Sequence, residues 1–212
     1  MLDVGVEHVV QFVSDNASSI FATVGKLLME KYPTLFWTPC VADYLDLMLE
    51  NVGKIEWVKF VLDKAKFITR YIYNHARLYN LMREHTENKE IAQLVPPVIS
   101  RFATNFILLQ SLCAYEYNLK RMVLSDEWNN SHYSKTAEGK AVEKVIFQFP
   151  FWRDAGEVVA ISELLVKVLR MVDADKAQMG YIYEALDAAK ESIRAKFQGR
   201  EGKSEYKIRP EI

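Results

Sequence analysis

The sequence predicts a mostly α-helical protein with one small parallel β unit near its amino terminus. Two short apolar runs, at residues 9–13 and 35–38, flank an amphipathic segment, whereas the periodic segments after residue 56 repeat their apolar residues at helical spacing. Only 8 glycines and 6 prolines occur among 212 residues, which argues against a loop-rich or all-β chain. A chain of this length can bury one substantial core.

The β unit is predicted from the first fifty residues. Residues 9–13 are β-branched and aromatic and almost continuously apolar, which is typical of a strand covered on both faces. Asp15 or Asn16, which follow this run, can cap the next helix, which Pro33 ends. A second strand at residues 35–38 completes a unit so short that we expect parallel strands with a right-handed crossover. Open α/β sheets place their chemistry at such strand ends, so Asp15 is a candidate site residue.

The remainder of the chain is predicted as helices. Pro39 suits the first turn of a helix that ends near Gly53. Residues 57–84 are predicted as one long helix, and His75 falls in its apolar stripe, where we expect a hydrogen-bonded core histidine. Further helices are predicted at residues 101–124, 135–146, 153–172 and 177–197, with a loop at 125–131. The predicted units are a strand–helix–strand–helix unit at 1–55, a helical region at 56–198 and a frayed charged tail at 199–212.

Composition limits the classes of partner and compartment. A net charge of −1 gives no global attraction for nucleic acid or an acidic membrane, so such affinity needs a local patch. Cys40 and Cys113 fall on different predicted elements and are expected to be reduced, buried thiols. No signal peptide and no apolar run of about 20 residues is visible. We expect a nuclear or cytoplasmic protein that is not secreted and has no membrane partner.

One row of basic residues is the strongest indication of nucleic-acid binding in the sequence. Four cations are spaced by 7, 4 and 7 residues on the predicted long helix, and they therefore share one face: Lys59, Lys66, Arg70 and Arg77. Tyr73 adjoins the row, and a basic stripe beside an aromatic side chain can follow a phosphate backbone. Asp63 lies in the same row and offsets part of the charge. An ordinary solvated helix face is the alternative.

Several segments, taken together, resemble one protein family. Residues 14–17, 25–31 and 36–40 are similar in order and spacing to transposases of the hAT superfamily, and more narrowly to their plant-type domain of unknown function in the ribonuclease-H-like class. The resemblance covers nearly the whole chain, because it continues through residues 46–49, 68–73, 101–104, 127–128, 168–173 and 179–185. It implies a partial ribonuclease-H-like α/β fold with a large helical insertion at residues 56–198.

The resemblance also implies that the family cleaves DNA with bound metal ions and that this chain has lost the activity. In the family, three acids hold two Mg²⁺ or Mn²⁺ ions that activate a nucleophile against a DNA phosphate. Asp15 matches the second acid, whereas the first falls upstream of Met1 and the third downstream of Ile212. A family histidine is replaced by Asp43, whose charge repels phosphate. We therefore expect no enzymatic activity and no cofactor, with Asp15 left as an ancestral, weak metal ligand or a helix cap.

A second inherited position opens a later helix. Arg101 and Phe102 stand where relatives often carry an Arg-Trp pair that handles DNA at the transposon end. Phe102 keeps an aromatic face without the indole N–H. The alternative is that Phe102 belongs to the core and Arg101 is a surface charge.

Three functional hypotheses remain open. The first is a transposase-derived, catalytically inactive chain that binds DNA or protein. The second is a metal-dependent nuclease or strand-transferase subunit completed by acids from other regions. The third is a structural helical interaction module. Because a partial sheet leaves one strand edge unpaired, we also expect self-association through that edge.

Overall fold

The computed structural model describes residue 5, residues 8–14, 19–86 and 103–172, and residues 184, 187, 188 and 191, with only the backbone described at 19–22. Most of these residues are helical, and the only sheet they form is a parallel pair of strands. The predicted fold class, mostly α with a small parallel β unit, is therefore confirmed. No helix in these ranges is both long enough and apolar enough to cross a bilayer.

Two strands and ten helices lie within the described ranges. In chain order they are β1 (Gln11–Ser14), α1 (Ser19–Lys31), β2 (Phe36–Pro39), α2 (Val41–Lys54), α3 (Glu56–Tyr73), α4 (Ala76–Glu84), α5 (Ala103–Ala114), α6 (Glu116–Leu124), α7 (Asp126–Asn129), α8 (His132–Lys135), α9 (Ala137–Ile146) and α10 (Phe149–Val172).

The two strands pair in parallel, with α1 as the connection between them. Gln11 lies opposite Phe36 and Ser14 opposite Pro39, so each strand begins one or two residues later than the apolar runs predict. α1 packs against one face of the pair through the indole of Trp37, whose Nε1 donates a hydrogen bond to Ser14 Oγ at 2.9 Å. The predicted parallel strand–helix–strand unit is confirmed.

The hydrophobic core lies among the helices. α10 packs against α2, α3 and α5, and α9 packs against α3 and α6. The helical spacing of Leu45, Leu49 and Val52 in the sequence predicts an apolar face for α2, and all three are buried. Each fully buried side chain of this size contributes about 1.5–3 kcal/mol of transfer free energy, so the helical body supplies most of the stability.

The long helix predicted over residues 57–84 is wrong, because the chain breaks between α3 and α4. His75 has an extended backbone, with φ −125° and ψ 97°, and it caps α4 instead of continuing α3. Its Nδ1 lies 2.7 Å from the carbonyl oxygen of Tyr71, and its ring packs between Tyr71 and Tyr133 at centroid distances of 4.9 and 4.7 Å. His75 is thus hydrogen-bonded as predicted, but it is half-buried and does not belong to the core. Apolar spacing missed the break because both helices bury the same side.

Other boundaries also differ from the sequence prediction. Pro39, predicted in the first turn of a helix, ends β2, and α2 begins at Val41. The helix predicted over 135–146 begins at Ala137. The helix predicted over 101–124 is divided at Tyr115 into α5 and α6. The loop predicted at 125–131 contains α7, because Ser125 Oγ accepts a hydrogen bond from the N–H of Trp128 at 3.2 Å and Trp128 is fully buried. α10 begins before residue 153, since Pro150 sits in its first turn, where a missing N–H is harmless.

Several predicted segments lie largely or wholly outside the described residues. The helix predicted at 177–197 is described only at residues 184, 187, 188 and 191, which are helical. The charged tail from residue 199 lies outside the described ranges. The division of the chain at residue 55 stays a prediction.

Candidate nucleic-acid interface

A cleft of about 350 Å³ opens where α2 ends and α3 and α5 begin. Ile55 is extended, with φ −62° and ψ 127°, so α2 and α3 diverge there, and Gly53 contributes no side chain to fill the gap. The floor is apolar and the rim carries charges and one amide. The lining residues are Leu49, Glu50, Gly53, Lys54, Lys59, Leu62, Asp63, Lys66, Asn105 and Phe106.

The lysines on the rim differ in their partners. Lys54 Nζ lies 2.6 Å from Glu50 Oε1, one helical turn earlier on α2. The Lys54 side chain is 64% exposed, so this pair contributes at most about 1 kcal/mol. Lys59 and Lys66 form no ion pair with any residue in the described ranges. Their ammonium groups therefore remain available to an anion, although Asp63 lies on the same face between them.

Arg70 extends the basic surface along α3. It is exposed and lies one turn beyond Lys66 on the same helix. From Lys59 to Arg70 the helix rises about 16 Å. One strand of duplex DNA places a phosphate every 3.4 Å or so along its axis, so this row can meet several phosphates. Lys59, Lys66 and Arg70 are called the α3 basic face below.

Arg77 does not belong to this face. It lies on α4, beyond the break, in a separate cleft of about 440 Å³ whose lining includes Glu84, Glu127 and Tyr133. The prediction that all four cations share one helical face is therefore wrong for Arg77. Tyr73 ends α3, and its ring packs on that of Tyr79 at 4.9 Å, next to the break.

Only part of the catalytic site that the resemblance implies lies within the described residues. Asp15 lies outside the described residues, as do Arg101 and Phe102. At the carboxyl edge of the sheet, the N–H of Cys40 donates to the carbonyl oxygen of Ser14 at 2.8 Å, and Asp43 lies half-buried in the first turn of α2. Within the described ranges no three His, Cys, Asp or Glu side chains come together as a metal site.

The two cysteines are free and far apart in sequence, and both are half-buried, whereas the sequence predicts buried thiols; Cys40 directly precedes α2 and Cys113 lies in α5. Burial raises the pKa of the Cys113 thiol to about 11, and the nearby carboxylate of Glu116 adds to the effect. The thiol of Cys113 is therefore protonated at neutral pH and is not a nucleophile.

Three polar residues of the cleft, Glu50, Lys54 and Asn105, were missed by sequence reasoning. In the sequence, Lys54 follows Glu50 by four residues, and this spacing predicts an ion pair on a helix surface but gives no indication of a cleft. Asn105 joins the rim because α5 packs on α3, a tertiary contact with no local signal.

The comparisons with known proteins bear on the first third of the chain. Residues 1–68 match the family described as Domain of unknown function (DUF659). This domain is found in hAT-like transposase families. The matched part contains β1, α1, β2, α2 and most of α3, so two members of the α3 basic face, Lys59 and Lys66, lie inside it.

The match covers 68 of 212 residues and relates this part of the chain to transposase-related proteins. No curated protein and no solved structure matches the chain.

Proposed function

We propose that this chain is a transposase-derived protein that binds DNA through the α3 basic face and does not cleave it. The observation that carries the proposal is the row of Lys59, Lys66 and Arg70, in which Lys59 and Arg70 are exposed and Lys66 is half-buried, and whose two lysines have no ion-pair partner among the described residues. The DUF659 match supports the transposase origin. An hAT-type, ribonuclease-H-like ancestry belongs to the proposal, and the parallel β1–α1–β2 unit with an acid directly after β1 supports it.

The expected mode of binding is electrostatic. Each phosphate neutralised by a lysine or arginine releases counterions, so affinity falls as salt rises. Three such contacts give weak binding with little sequence preference, with dissociation constants of roughly 10⁻⁴ to 10⁻⁶ M at physiological salt. Arg101 and Phe102 are proposed to add contacts at a distorted DNA end, as the resemblance implies.

The proposed lack of cleavage rests on one position that carries the resemblance. Asp43, in place of the family's histidine, adds negative charge where the scissile phosphate approaches. This part of the proposal is therefore independent of DNA binding.

The DNA-binding proposal is tested by fluorescence anisotropy with a labelled 20-base-pair duplex in low salt. Charge reversal in the variant Lys66→Glu with Arg70→Glu is expected to weaken binding at least about tenfold, since two attractions become repulsions. The control is Lys144→Glu with Lys167→Glu, which makes the same charge change at exposed positions of α9 and α10. Equal losses in both variants would show that only net charge matters and would reject the α3 basic face.

A nuclease or strand-transferase subunit is the second candidate. Asp43 favours it, because this carboxylate begins α2 at the same sheet edge that Asp15 follows. The test is cleavage of a DNA duplex in Mg²⁺ or Mn²⁺, with Asp15→Ala as the control. Cleavage by the wild-type chain that disappears in Asp15→Ala would establish this candidate and overturn the non-cleaving proposal.

The third candidate, a structural helical interaction module, predicts no salt-dependent DNA binding. The anisotropy experiment therefore separates it from the leading proposal.

A further inference from the structure

Three exposed phenylalanines lie on α3 and at the junction of α9 and α10, parts of the helical body that pack against each other. Phe60 is 61%, Phe147 44% and Phe149 73% exposed. Within the described ranges the only other exposed phenylalanine is Phe36, on the β unit. Single exposed apolar side chains are ordinary on a protein surface, whereas a group of large ones marks a binding surface.

The side chain of Lys64 connects the two parts of this surface. Its Nζ lies 4.3 Å from the centroid of the Phe60 ring, one helical turn earlier on α3. The same ammonium donates a hydrogen bond of 2.9 Å to Oε1 of Gln148, which stands between Phe147 and Phe149 in the chain. The three phenylalanines therefore belong to one surface with a cation between its parts. Phe60, Phe147 and Phe149 are called the aromatic surface below.

The protein does not use these rings to pack its own aromatic side chains. Among the described residues, none of the three contacts another aromatic ring. Lys64 covers one face of the Phe60 ring, and the other part of that ring is open to solvent. Ring faces that can receive a planar ligand are therefore present on both parts of the surface.

The aromatic surface adjoins the α3 basic face. Phe60 follows Lys59 directly, so the two side chains leave α3 about 100° apart. Glu56 and Asp63 are exposed on the strip between them. The three cations of the α3 basic face, together with Lys64, outnumber these two carboxylates, and the exposed side of α3 therefore keeps a positive balance.

Cations beside exposed aromatic rings suit an unpaired strand of nucleic acid. The bases of a duplex are paired and stacked on one another, whereas those of a single strand can stack on protein rings while lysine and arginine hold the phosphates. Such stacking needs no particular sequence, because every base has a π face. An apolar protein partner would have to desolvate the ammonium of Lys64 between the rings, whereas a nucleic-acid strand brings phosphates to it.

We propose that the aromatic surface stacks unpaired DNA bases, so that this chain binds a single DNA strand more tightly than duplex DNA. The inference rests on the proposed function, since the α3 basic face holds the phosphates of that strand. It deepens that function by naming the preferred form of DNA and the side chains that select it.

The first test compares a labelled 20-nucleotide thymidine strand with the 20-base-pair duplex by fluorescence anisotropy in the same low salt. Electrostatics alone favours the duplex, because its charge density is higher. The wild-type chain is nevertheless expected to bind the single strand at least about fivefold more tightly, because each stacked base adds to the affinity. Tighter binding of a uridine RNA strand of the same length would overturn the assignment to DNA.

The same titrations separate this inference from the proposed function. Duplex binding through the α3 basic face without any preference for the single strand would overturn the inference and leave the proposed function in place. Failure to bind either form of DNA would overturn both.

Leucine variants test whether the ring faces are responsible. Phe60→Leu with Phe149→Leu keeps two apolar side chains and removes both rings, so single-strand binding should weaken at least about tenfold and duplex binding less than about twofold. Tyrosine at both positions keeps the rings and should bind the strand as wild type does. Phe36→Leu is the matched control, because Phe36 is 62% exposed and lies on β2. Unchanged single-strand binding by the double leucine variant would overturn the inference and point to a protein as the partner of the aromatic surface.

Photo-cross-linking shows where the bases lie on the wild-type chain. A thymidine strand that carries 5-iodouracil forms covalent links to aromatic side chains in contact with the base under near-ultraviolet light. Mass spectrometry of the digested complex should find the strand attached at Phe60 or Phe149. Attachment only at residues outside the aromatic surface would overturn the inference.

Discussion

Trp37 occupies the space that a side chain on Gly25 would need. A Cβ at residue 25 would lie 2.2 Å from the Cδ2 atom of the indole, far inside van der Waals contact. α1 can approach the sheet this closely only because residue 25 is glycine. The two residues therefore hold together the β unit that the DUF659 match includes.

Gly25→Ala should destabilise the chain by about 1–3 kcal/mol, because the indole must move out of a packed position. Gly156→Ala is the matched control, since nothing lies within 4 Å of a Cβ built there in α10. That change should be neutral or stabilising by up to about 1 kcal/mol. Urea unfolding measures both, and similar losses in the two variants would contradict the packing described for Trp37.

Tyr71 joins α3 to α8 and to Thr136, the residue between α8 and α9, through its hydroxyl group. The oxygen lies 3.0 Å from the carbonyl oxygen of Tyr133 and 2.9 Å from Thr136 Oγ1. Tyr71→Phe should therefore cost about 1–2 kcal/mol of unfolding free energy. Tyr117→Phe serves as the control, because Tyr117 is 68% exposed, and no measurable change is expected there. A neutral result for Tyr71→Phe in thermal unfolding would show that water replaces these contacts at no cost.

Cys113 should react slowly with thiol reagents until the solution is strongly alkaline. Its pKa of about 11 means that the thiolate fraction falls about tenfold for each pH unit below that value. Alkylation by iodoacetamide, followed by mass spectrometry in the Cys40→Ser variant, should show a rate that still rises between pH 9 and 10. A rate that levels off below pH 9 would contradict the effect of burial.

The same shift has a consequence for stability. The pKa of Cys113 is higher in the folded state than in the unfolded state, so the folded chain holds more protons between about pH 9 and 11. Its contribution to stability is fully present below that range and is lost as the pH rises through it. Cys113→Ala should therefore reduce the slope of unfolding free energy against pH in this window, as measured by urea unfolding at each pH.

Arg70 and Arg77 should differ in their effect on DNA binding. Arg70 extends the α3 basic face, whereas Arg77 lies in a cleft with Glu84 and Glu127, whose carboxylates offset its charge. Arg70→Gln should weaken duplex binding severalfold, because it removes a positive charge from the α3 basic face. Arg77→Gln should weaken it less than about twofold, because the positive charge it removes lies beside two carboxylates. Equal effects in anisotropy titrations would restore the four-residue row expected from sequence spacing.

Secondary structure could be predicted from the sequence where it depends on a pattern of neighbouring residues. The apolar runs and the helix between them predict the parallel β unit, and the spacing of Leu45, Leu49 and Val52 predicts the buried face of α2. The break at His75 was missed, since a half-buried histidine between two tyrosines continues the apolar pattern of both helices. α7 was missed because Ser125 caps a single turn around the buried Trp128, too short for any periodicity.

The candidate site was only partly predictable for the same reason. Spacing identified Lys59, Lys66 and Arg70, which lie on one helix. It also included Arg77, because it assumed that the helix continued. Asn105 and the cleft itself depend on how α5 meets α3, which no local pattern records.

The salt dependence of DNA binding is the sharpest test of phosphate contact by the α3 basic face. The anisotropy titration is repeated from 25 to 200 mM NaCl with wild type and with the neutralised variant Lys59→Gln, Lys66→Gln, Arg70→Gln, all checked for folding by circular dichroism. The slope of log affinity against log salt should be shallower in the variant by roughly 2 to 3, because three phosphate contacts are removed. An unchanged slope and affinity in a folded variant would contradict DNA binding by the α3 basic face.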